Sequence, residues 1–236
     1  MFVPTRHHLA AENNRQMFSR IAHRYDLLNT VMTFGLDAAW RQAAVALAAP
    51  QGCRLALDMA TGTGELAFLL AGRAEQVVAV DICPQMLSIA RDKARGRPRA
   101  DRIRFLLADG LRLPFPTDTF DCVATGFALR NVTDLGLALA EMHRVVRPGG
   151  RVVCLELTRS PFRPLAALHA LYLAGLIPAL GHWLAGQAGA YRFLSISLSQ
   201  FPDARQLAEA MRNRGFRRVG HRLYRLWPIA LHVGIK

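Results

Sequence analysis

Apolar and polar positions along this chain repeat with two different periods. Short apolar runs of the kind that form buried strands alternate with stretches in which apolar residues recur every three or four positions, the spacing of a helix face. From Arg54 onward the pattern predicts strands over 54–58, 76–81, 102–107, 120–125 and 150–157, with helices over 64–73, 84–95 and 135–146 between them. Pro84 suits a first helical position. Arg147-Pro-Gly-Gly stops the third of these helices and turns the chain into the fifth strand. A further helix over 203–214, closed by Gly215, precedes two more strands over 216–224 and 229–235. This rhythm predicts an α/β fold built on a Rossmann-like, doubly wound parallel sheet, seven-stranded in all. Ahead of it, residues 12–24 read as a helix with Met17, Phe18, Ile21 and Ala22 on one face. Tyr25-Asp-Leu-Leu-Asn is expected to break into a loop, and Trp40 to Ala48 to form a second helix. No internal repeat or low-complexity linker divides the chain, so residues 1–236 are read as one domain. Residues 1–50 form an N-terminal helical cap over the nucleotide-binding unit, and residues 160–192 an inserted apolar lid.

The stretch around which this pattern is organised is Leu55-Ala-Leu-Asp-Met-Ala-Thr-Gly-Thr-Gly-Glu-Leu-Ala. An apolar strand runs into Gly62 and Gly64, and Leu66, Ala67, Leu69 and Leu70 then begin a helix. Strand, glycine turn and helix open a nucleotide-binding βαβ unit, because the glycines admit a ligand close to the backbone and the helix start offers free N–H groups. Thr61, Gly62, Thr63 and Gly64 are therefore candidate cofactor contacts. Asp81 ends the second apolar run, Val77-Val-Ala-Val-Asp, where a carboxylate would accept hydrogen bonds from ribose hydroxyls, with Ile82 beside it. Asp58 stands just before the glycines. A pyrophosphate would be repelled there, whereas a cofactor with a cationic amino end and no phosphate would tolerate or use the charge. S-adenosylmethionine is such a cofactor. Asp109 ends the third strand and is placed to accept from an adenine amino group, so Asp58, Asp81 and Asp109 are expected to line one crevice beyond the carboxyl ends of the strands. Arg130 and Asn131 follow the fourth strand and fall at the same edge, where a substrate would lie.

Charge changes the picture of partners. The formal net charge is +13, and only Lys93 and Lys236 among the basic residues are lysines. Such a balance attracts anionic membrane surfaces or nucleic acid, or is a bias of solvated arginines. The arginines Arg212, Arg214, Arg217, Arg218, Arg222 and Arg225 keep an RNA-binding alternative in view. No RNA-recognition motif or aromatic stacking pair accompanies them, and no nucleic acid is expected as a partner. Cys53, Cys83, Cys122 and Cys154 are scattered without a C-x-x-C, so they read as buried reduced thiols, with no metal site and a cytoplasmic location. Between Arg163 and Arg192 there is no charged residue, and 165–184 is long enough to span a bilayer. Pro178, Gly175, Gly181, His169 and His182 interrupt it. It is read as a lid or flap that takes a lipophilic substrate from an anionic bilayer at the inner face of the membrane. A homodimer is also open.

Beyond these patterns the chain resembles the ubiquinone/menaquinone biosynthesis C-methyltransferases, the UbiE-type family, over nearly its whole length. The resemblance is carried by Arg24-Tyr-Asp-Leu-Leu-Asn, Trp40-Arg, Ala60-Thr-Gly-Thr-Gly, Leu113-Pro-Phe-Pro, Phe120-Asp, Leu129-Arg-Asn-Val, Arg144-Val-Val-Arg-Pro-Gly-Gly and Leu155-Glu. Tyr191-Arg-Phe-Leu, Phe201-Pro and the final His232-Val-Gly-Ile-Lys extend it. The glycine motif is common to most class I methyltransferases, whereas Leu-Arg-Asn-Val after the fourth strand is specific to this family. The resemblance implies a class I methyltransferase sheet, in which Thr63, Asp81 and Asp109 bind S-adenosylmethionine and Gly110 adds a backbone contact. It also implies that Tyr25, Arg130, Asn131 and His232 face a lipophilic quinol, a prenylated benzoquinol or naphthoquinol. The chain departs from the family at Glu65, usually Asp; at Gly126, usually a cofactor-contacting Ser; at Ala128, usually Gly; at Ile196, Glu in some members; and at Leu226-Trp227-Pro228, usually a small, Gly-rich stretch. A bulky Trp227 is expected beside the substrate pocket, which keeps open another lipophilic, phenolic or phospholipid acceptor on the same scaffold.

A ring carbon becomes nucleophilic when its neighbouring phenol loses a proton. Arg130 stays protonated and cannot be the base, but it would lower the phenol pKa by stabilising phenolate. Asn131 and Tyr25 would orient the hydroxyl or a water. His232, with an ordinary pKa of about 6.5, is the titratable candidate base.

Overall fold

The computed structural model describes residues 6–50, 52–159, 197–198, 200–224 and 227–236, with backbone alone for 6–11 and 13. The proposed lid at 160–192, Ile196, Arg225 and Leu226 lie outside the described residues. In chain order the elements are α1 (Arg6–Ile21), α2 (Tyr25–Thr33), α3 (Leu36–Ala48), β1 (Cys53–Met59), α4 (Glu65–Leu70), β2 (Ala74–Asp81), α5 (Pro84–Ala94) and β3 (Ile103–Leu107). They continue with β4 (Phe120–Gly126), α6 (Leu135–Val145), β5 (Val146–Leu157), α7 (Ala204–Asn213), β6 (Arg217–Tyr224) and β7 (Ile229–Ile235). Short 3-10 turns occupy Ala22–Arg24, Ala100–Arg102 and Leu129–Asn131.

One seven-stranded sheet runs in the order β3-β2-β1-β4-β5-β7-β6. The five strands β1 to β5 pair in parallel, and β7 inserts antiparallel between β5 and β6. The sheet is therefore mixed rather than wholly parallel. The cause is local: β6 and β7 are joined by a tight turn, in which the Trp227 N–H donates to the Tyr224 carbonyl at 2.8 Å, and strands joined so closely must run in opposite directions. Because β1 interposes its alternate residues between two layers, Ala56 packs into one core and Leu57 into the other. On the first face Trp40, Val45 and Ala48 of α3 and Leu66 and Leu70 of α4 cover Ala56, Val77, Ala79 and Val153. On the second, Leu139 and Met142 of α6 with Leu207 and Met211 of α7 cover Leu57, Val80, Val123 and Val152.

Three local expectations change. Tyr25 to Asn29 is helical, the start of α2, because Asp26 supplies a favourable charge in its first turn and Leu28 buries against its neighbours. The left-handed pair Phe34–Gly35 then ends α2 and starts α3, four residues before Trp40. α3 also lies in the helical layer on the sheet, where it packs on β4 and β5, so the part of the first fifty residues that covers the nucleotide-binding turn is α1 and α2. Finally, the Pro148-Gly149-Gly150 segment bulges out of β5, whose pairing jumps from Phe120↔Val146 to Cys122↔Arg151. All four cysteines are free and buried.

Candidate active site

β1 and β4 are neighbours although the chain makes β2 and β3 between them, so their carboxyl ends diverge into a crevice, the usual ligand position in such sheets. A cleft of about 870 Å³, counting space open to solvent, occupies it. Its cofactor-like end is built by two loops. After β1 the chain turns through Gly62 and Gly64 at φ of 57° and 89°, left-handed values that favour glycine. The Gly62 N–H donates to Asp81 Oδ2 at 2.8 Å, and the Cys83 N–H donates to Asp81 Oδ1 at 2.8 Å. One carboxylate at the tip of β2 thus sets the spacing of the glycine turn and the loop into α5, while Asp81 itself lines the cleft. Burial raises its pKa from the ordinary carboxylate range, opposed by these backbone hydrogen bonds. Past β3, Asp109 accepts from the Leu111 N–H at 2.9 Å and also lines the cleft. A Cβ on neighbouring Gly110 would lie 3.3 Å from the Met59 side chain, so a larger residue would press the loop into the cleft floor.

The other end is walled by the turn after β4, through Gly126, Phe127, Ala128, Asn131 and Val132. Over the top lie Asn14, Arg15 and Phe18 of α1 and Tyr25 of α2. The Asn14 amide donates to the Asn131 carbonyl at 2.6 Å, which ties the N-terminal helix across the cleft to the turn after β4. Asp26 anchors α2 from below: it accepts from the Thr63 hydroxyl at 2.6 Å and from Lys93 at 2.8 Å. This anchoring brings Tyr25 close enough that a Cβ on Gly62 would sit 3.9 Å from its ring.

Of the residues expected at the site, Tyr25, Gly62, Asp81, Ile82, Asp109, Gly110, Gly126 and Asn131 line this cleft. Asp58, Thr61, Thr63, Gly64, Arg130 and His232 are not among its lining residues. Thr63 spends its hydroxyl on Asp26. Gly64 packs instead against Phe68 and Ala90, 3.0 and 3.3 Å from where its Cβ would be. Asp58 is sealed beneath the turn, where its Oδ2 accepts from the Thr61 hydroxyl at 2.5 Å and its Oδ1 has no hydrogen-bond partner. Arg130 turns away from the cleft into an ion pair with Glu156 at 2.5 Å and donates to the Phe127 carbonyl at 2.7 Å.

His232 is the largest displacement. β7 runs antiparallel, so its amino end, not its carboxyl end, reaches the ligand edge, and His232 sits mid-strand opposite Cys154. Its Nε2 bonds the Ala204 carbonyl at the start of α7 at 2.8 Å, and its ring stacks on His221 at 5.4 Å. Burial pushes its pKa down to about 4, so it is a neutral interior ring at pH 7. Trp227 likewise is not among the cleft-lining residues: it packs against Trp40 and Phe34 at 5.8 and 5.7 Å between ring centres. Its bulk fills the layer under the N-terminal helices.

Burial raises the Asp58 pKa to about 7, with the Thr61 hydroxyl and the Arg41 charge pulling the other way. The folded protein therefore binds a proton that the unfolded chain releases near pH 4. This contribution is fully present below pH 4 and is lost as pH rises toward 7. Asp58→Asn removes the dependence. It is expected to match wild-type stability near pH 4 and to exceed it by on the order of 2–4 kcal/mol at pH 8 in the cofactor-free protein. Thermal denaturation of both proteins across that range measures the difference, and parallel curves would disprove the assignment.

The chemistry of the donor set, two lining carboxylates beside a glycine turn, fits the ribose and base of a nucleoside cofactor. Asp81 and Asp109 would meet its ribose and base, and the exposed apolar side of Ile82 would lie along the base. Glu65, where the family usually has Asp, lies outside the cleft and pairs with Lys93 on α5.

A model of the ubiE/COQ5 methyltransferase family matches residues 7–236. The chain is 44% identical over 220 residues to the demethylmenaquinone methyltransferase of Thermus thermophilus, covering 92% of this chain and 99% of that one. It is 36% identical over 224 residues to the ubiquinone/menaquinone biosynthesis C-methyltransferase UbiE of a Marinomonas species, covering 94% and 89%. Among solved structures, the fold is similar to an S-adenosylmethionine-dependent methyltransferase of Thermotoga maritima, with a TM-score of 0.65, 20% identity and coverage of 94% and 99%. A phosphoethanolamine N-methyltransferase of Haemonchus contortus, solved with S-adenosylmethionine, aligns at a TM-score of 0.59 and 14% identity, covering 84% of this chain and 52% of that one. With the family model matched along almost the entire chain and relatives this similar over nearly their full lengths, this chain belongs to the ubiE/COQ5 methyltransferase family.

Proposed function

We propose that this enzyme uses S-adenosylmethionine to methylate a ring carbon of a prenylated quinol, and that the acceptor is a naphthoquinol. The observation that carries the reading is the continuity of the cleft: carboxylates at one end and an apolar wall of Phe127, Ala128 and Val132 at the other, under one roof of α1 and Tyr25. A flat apolar ring suits that wall. The names of relatives at 42–45% identity, demethylmenaquinone methyltransferases, support the naphthoquinol over the benzoquinol.

The cofactor supplies an electrophilic methyl group on a sulfonium. The protein's part is orientation and exclusion of water, which together are worth up to roughly 7–11 kcal/mol in well-aligned systems. Asp81 holds the glycine turn and the ribose side together. The Asn14–Asn131 bond closes the roof on the acceptor. Tyr25 and Asn131, which line the cleft, would hold the reacting hydroxyl and a water that takes its proton. His232, neutral and buried under α7, is outside that step. Arg130 supports it from behind the turn.

Exposed arginines on α7 and β6, among them Arg212, Arg217 and Arg222, support docking at an anionic bilayer that holds such an acceptor. None of the described helices is long and apolar enough to cross a membrane. The test is methyl transfer from isotopically labelled S-adenosylmethionine to a panel of naphthoquinol, benzoquinol, simple phenol and phosphatidylethanolamine, presented in anionic and in neutral vesicles. Label on the naphthoquinol ring carbon, faster from anionic vesicles, is the expected result. Methyl on oxygen or nitrogen would assign the enzyme to the phenolic or phospholipid alternative, and equal rates from both vesicles would remove the membrane step.

A further inference from the structure

We propose that Glu156, the ion-pair partner of Arg130, is the positioning residue for the acceptor end of the cleft. Its carboxylate would hold the 127–133 turn, and Asn131 with it, at a fixed distance from the cofactor end. The proposal rests on the methyl-transfer reading above and adds to it a residue that never touches the substrate.

The turn is unstable on its own terms. Phe127 sits at φ 59°, a left-handed conformation that a bulky side chain rarely adopts, so its surroundings must impose it. Two backbone bonds start the job: the Phe127 N–H donates to the Leu155 carbonyl at 2.8 Å and the Asn131 N–H to the Ala128 carbonyl at 2.9 Å. The rest comes from Glu156, near the end of β5 and only 1% exposed. Its Oε2 accepts from the Arg130 backbone N–H at 3.3 Å, and its Oε1 accepts from Arg130 Nη1 at 2.5 Å and from the Leu157 N–H at 2.8 Å. The same Nη1 donates to the Phe127 carbonyl, which also accepts from the Asn131 amide at 3.4 Å. Arg130 thus acts as a bridge from a strand carboxylate to the strained residue and, through it, to the side chain that faces the acceptor.

The surroundings offer no substitute for Glu156. Among the described residues no other carboxylate pairs with Arg130, and the Arg130 Nε has no partner. Loss of the carboxylate would leave a buried guanidinium unpaired and two backbone N–H groups without acceptors, so the turn would relax. What relaxes is the wall carrying Phe127, Ala128, Asn131, Val132 and Thr133. The Asp81 and Asp109 loops keep their own hydrogen bonds, so acceptor turnover and cofactor affinity should separate.

Glu156→Gln keeps the shape and removes the charge. It is expected to lower acceptor turnover by roughly 30- to 100-fold, because small misplacements cost about that much. Amide hydrogen exchange across 127–133 should accelerate, while S-adenosylmethionine affinity by calorimetry stays within about twofold of wild type. Unchanged exchange in that stretch would overturn the proposal whatever the acceptor. Wild-type inactivity toward every quinol would overturn the functional reading alone and leave the exchange result to decide this one. In an Arg130→Ala background, Glu156→Gln should cost less than about threefold more, since both residues act through one link. Fully multiplicative losses would overturn the proposal. Should Glu156→Gln not fold, the paired Glu156→Leu/Arg130→Met variant removes both charges together. It should show fast exchange across 127–133 and lost turnover, and wild-type protection there would overturn the proposal.

Discussion

Asp81→Ala is expected to weaken S-adenosylmethionine binding by about 3 kcal/mol, roughly a hundredfold, read by isothermal titration calorimetry. The size follows from the residue's double duty. Hydrogen bonds to a charged group are worth about 1.5–3 kcal/mol each, and under the proposed placement of the cofactor the mutation would remove those to the ribose. It also strands the Gly62 and Cys83 N–H groups, whose acceptors are the two oxygens of this carboxylate. The glycine turn and the α5 loop would then lose their common spacer, so a free-energy loss larger than one hydrogen bond is the signature. Asp81→Asn separates the contributions: it keeps one acceptor and should recover part of the loss. Cofactor affinity unchanged in Asp81→Ala would disprove the placement of the ribose.

The second large effect is on stability. Arg130→Ala is expected to destabilise the fold by about 3–5 kcal/mol, because it leaves Glu156 charged and buried with its ion-pair partner gone. In the intact protein the Arg130 side chain is 9% exposed and that of Glu156 1%, so solvent cannot take over the missing interaction. For a chain of this size the melting temperature should fall by roughly 10 °C. Turnover should fall further, on the order of a hundredfold at a temperature where the variant is folded, through misplacement of Asn131. Calorimetric melting and steady-state kinetics on the same preparation separate the two effects. A variant that melts like wild type would show that the pair is not buried as described, and intact turnover would detach Arg130 from the reaction.

Both predictions depend on residues that a reading of local pattern treats unequally. Asp81 was legible because its place is set by its own strand: a buried parallel strand reads as an apolar run, and a carboxylate ending that run must lie at the ligand edge. Asp109 is legible for the same reason, Gly62 from the glycine turn that follows the first strand, and Gly110 only through the family resemblance. Arg130 was correctly placed along the chain, just past β4, yet its direction was not foreseeable. The partner that draws it away, Glu156, is 26 positions distant and becomes a neighbour only when β5 pairs with β4. A helical cap over residues 1–50 is legible, with Met17, Phe18, Ile21 and Ala22 on one helix face, but what ties it down is not: nothing near Asn14 in sequence shows that it bonds Asn131 across 117 positions.

His232 shows what pattern cannot convey at all. Its strand was expected at 229–235 and stands at Ile229–Ile235, so the secondary structure was determined by the amino acids alone. Whether the histidine faced the substrate depended on strand direction. The short connection from β6 reverses β7, carries His232 away from the ligand edge and buries it under α7, where desolvation strips its usefulness as a base. Tyr25 reaches the cleft as expected, but from a helix rather than a loop, held there because Asp26 bonds Thr63 and Lys93. The amino-acid sequence by itself determined the strands, the crevice carboxylates Asp81 and Asp109 but not Asp58, and the reaction family, since each follows from local periodicity or a contiguous motif. Only the tertiary structure decided which way Arg130 and His232 point, what roofs the cleft and which carboxylate braces it. Those outcomes are contacts between residues far apart in the chain, and sheet order and strand direction choose them.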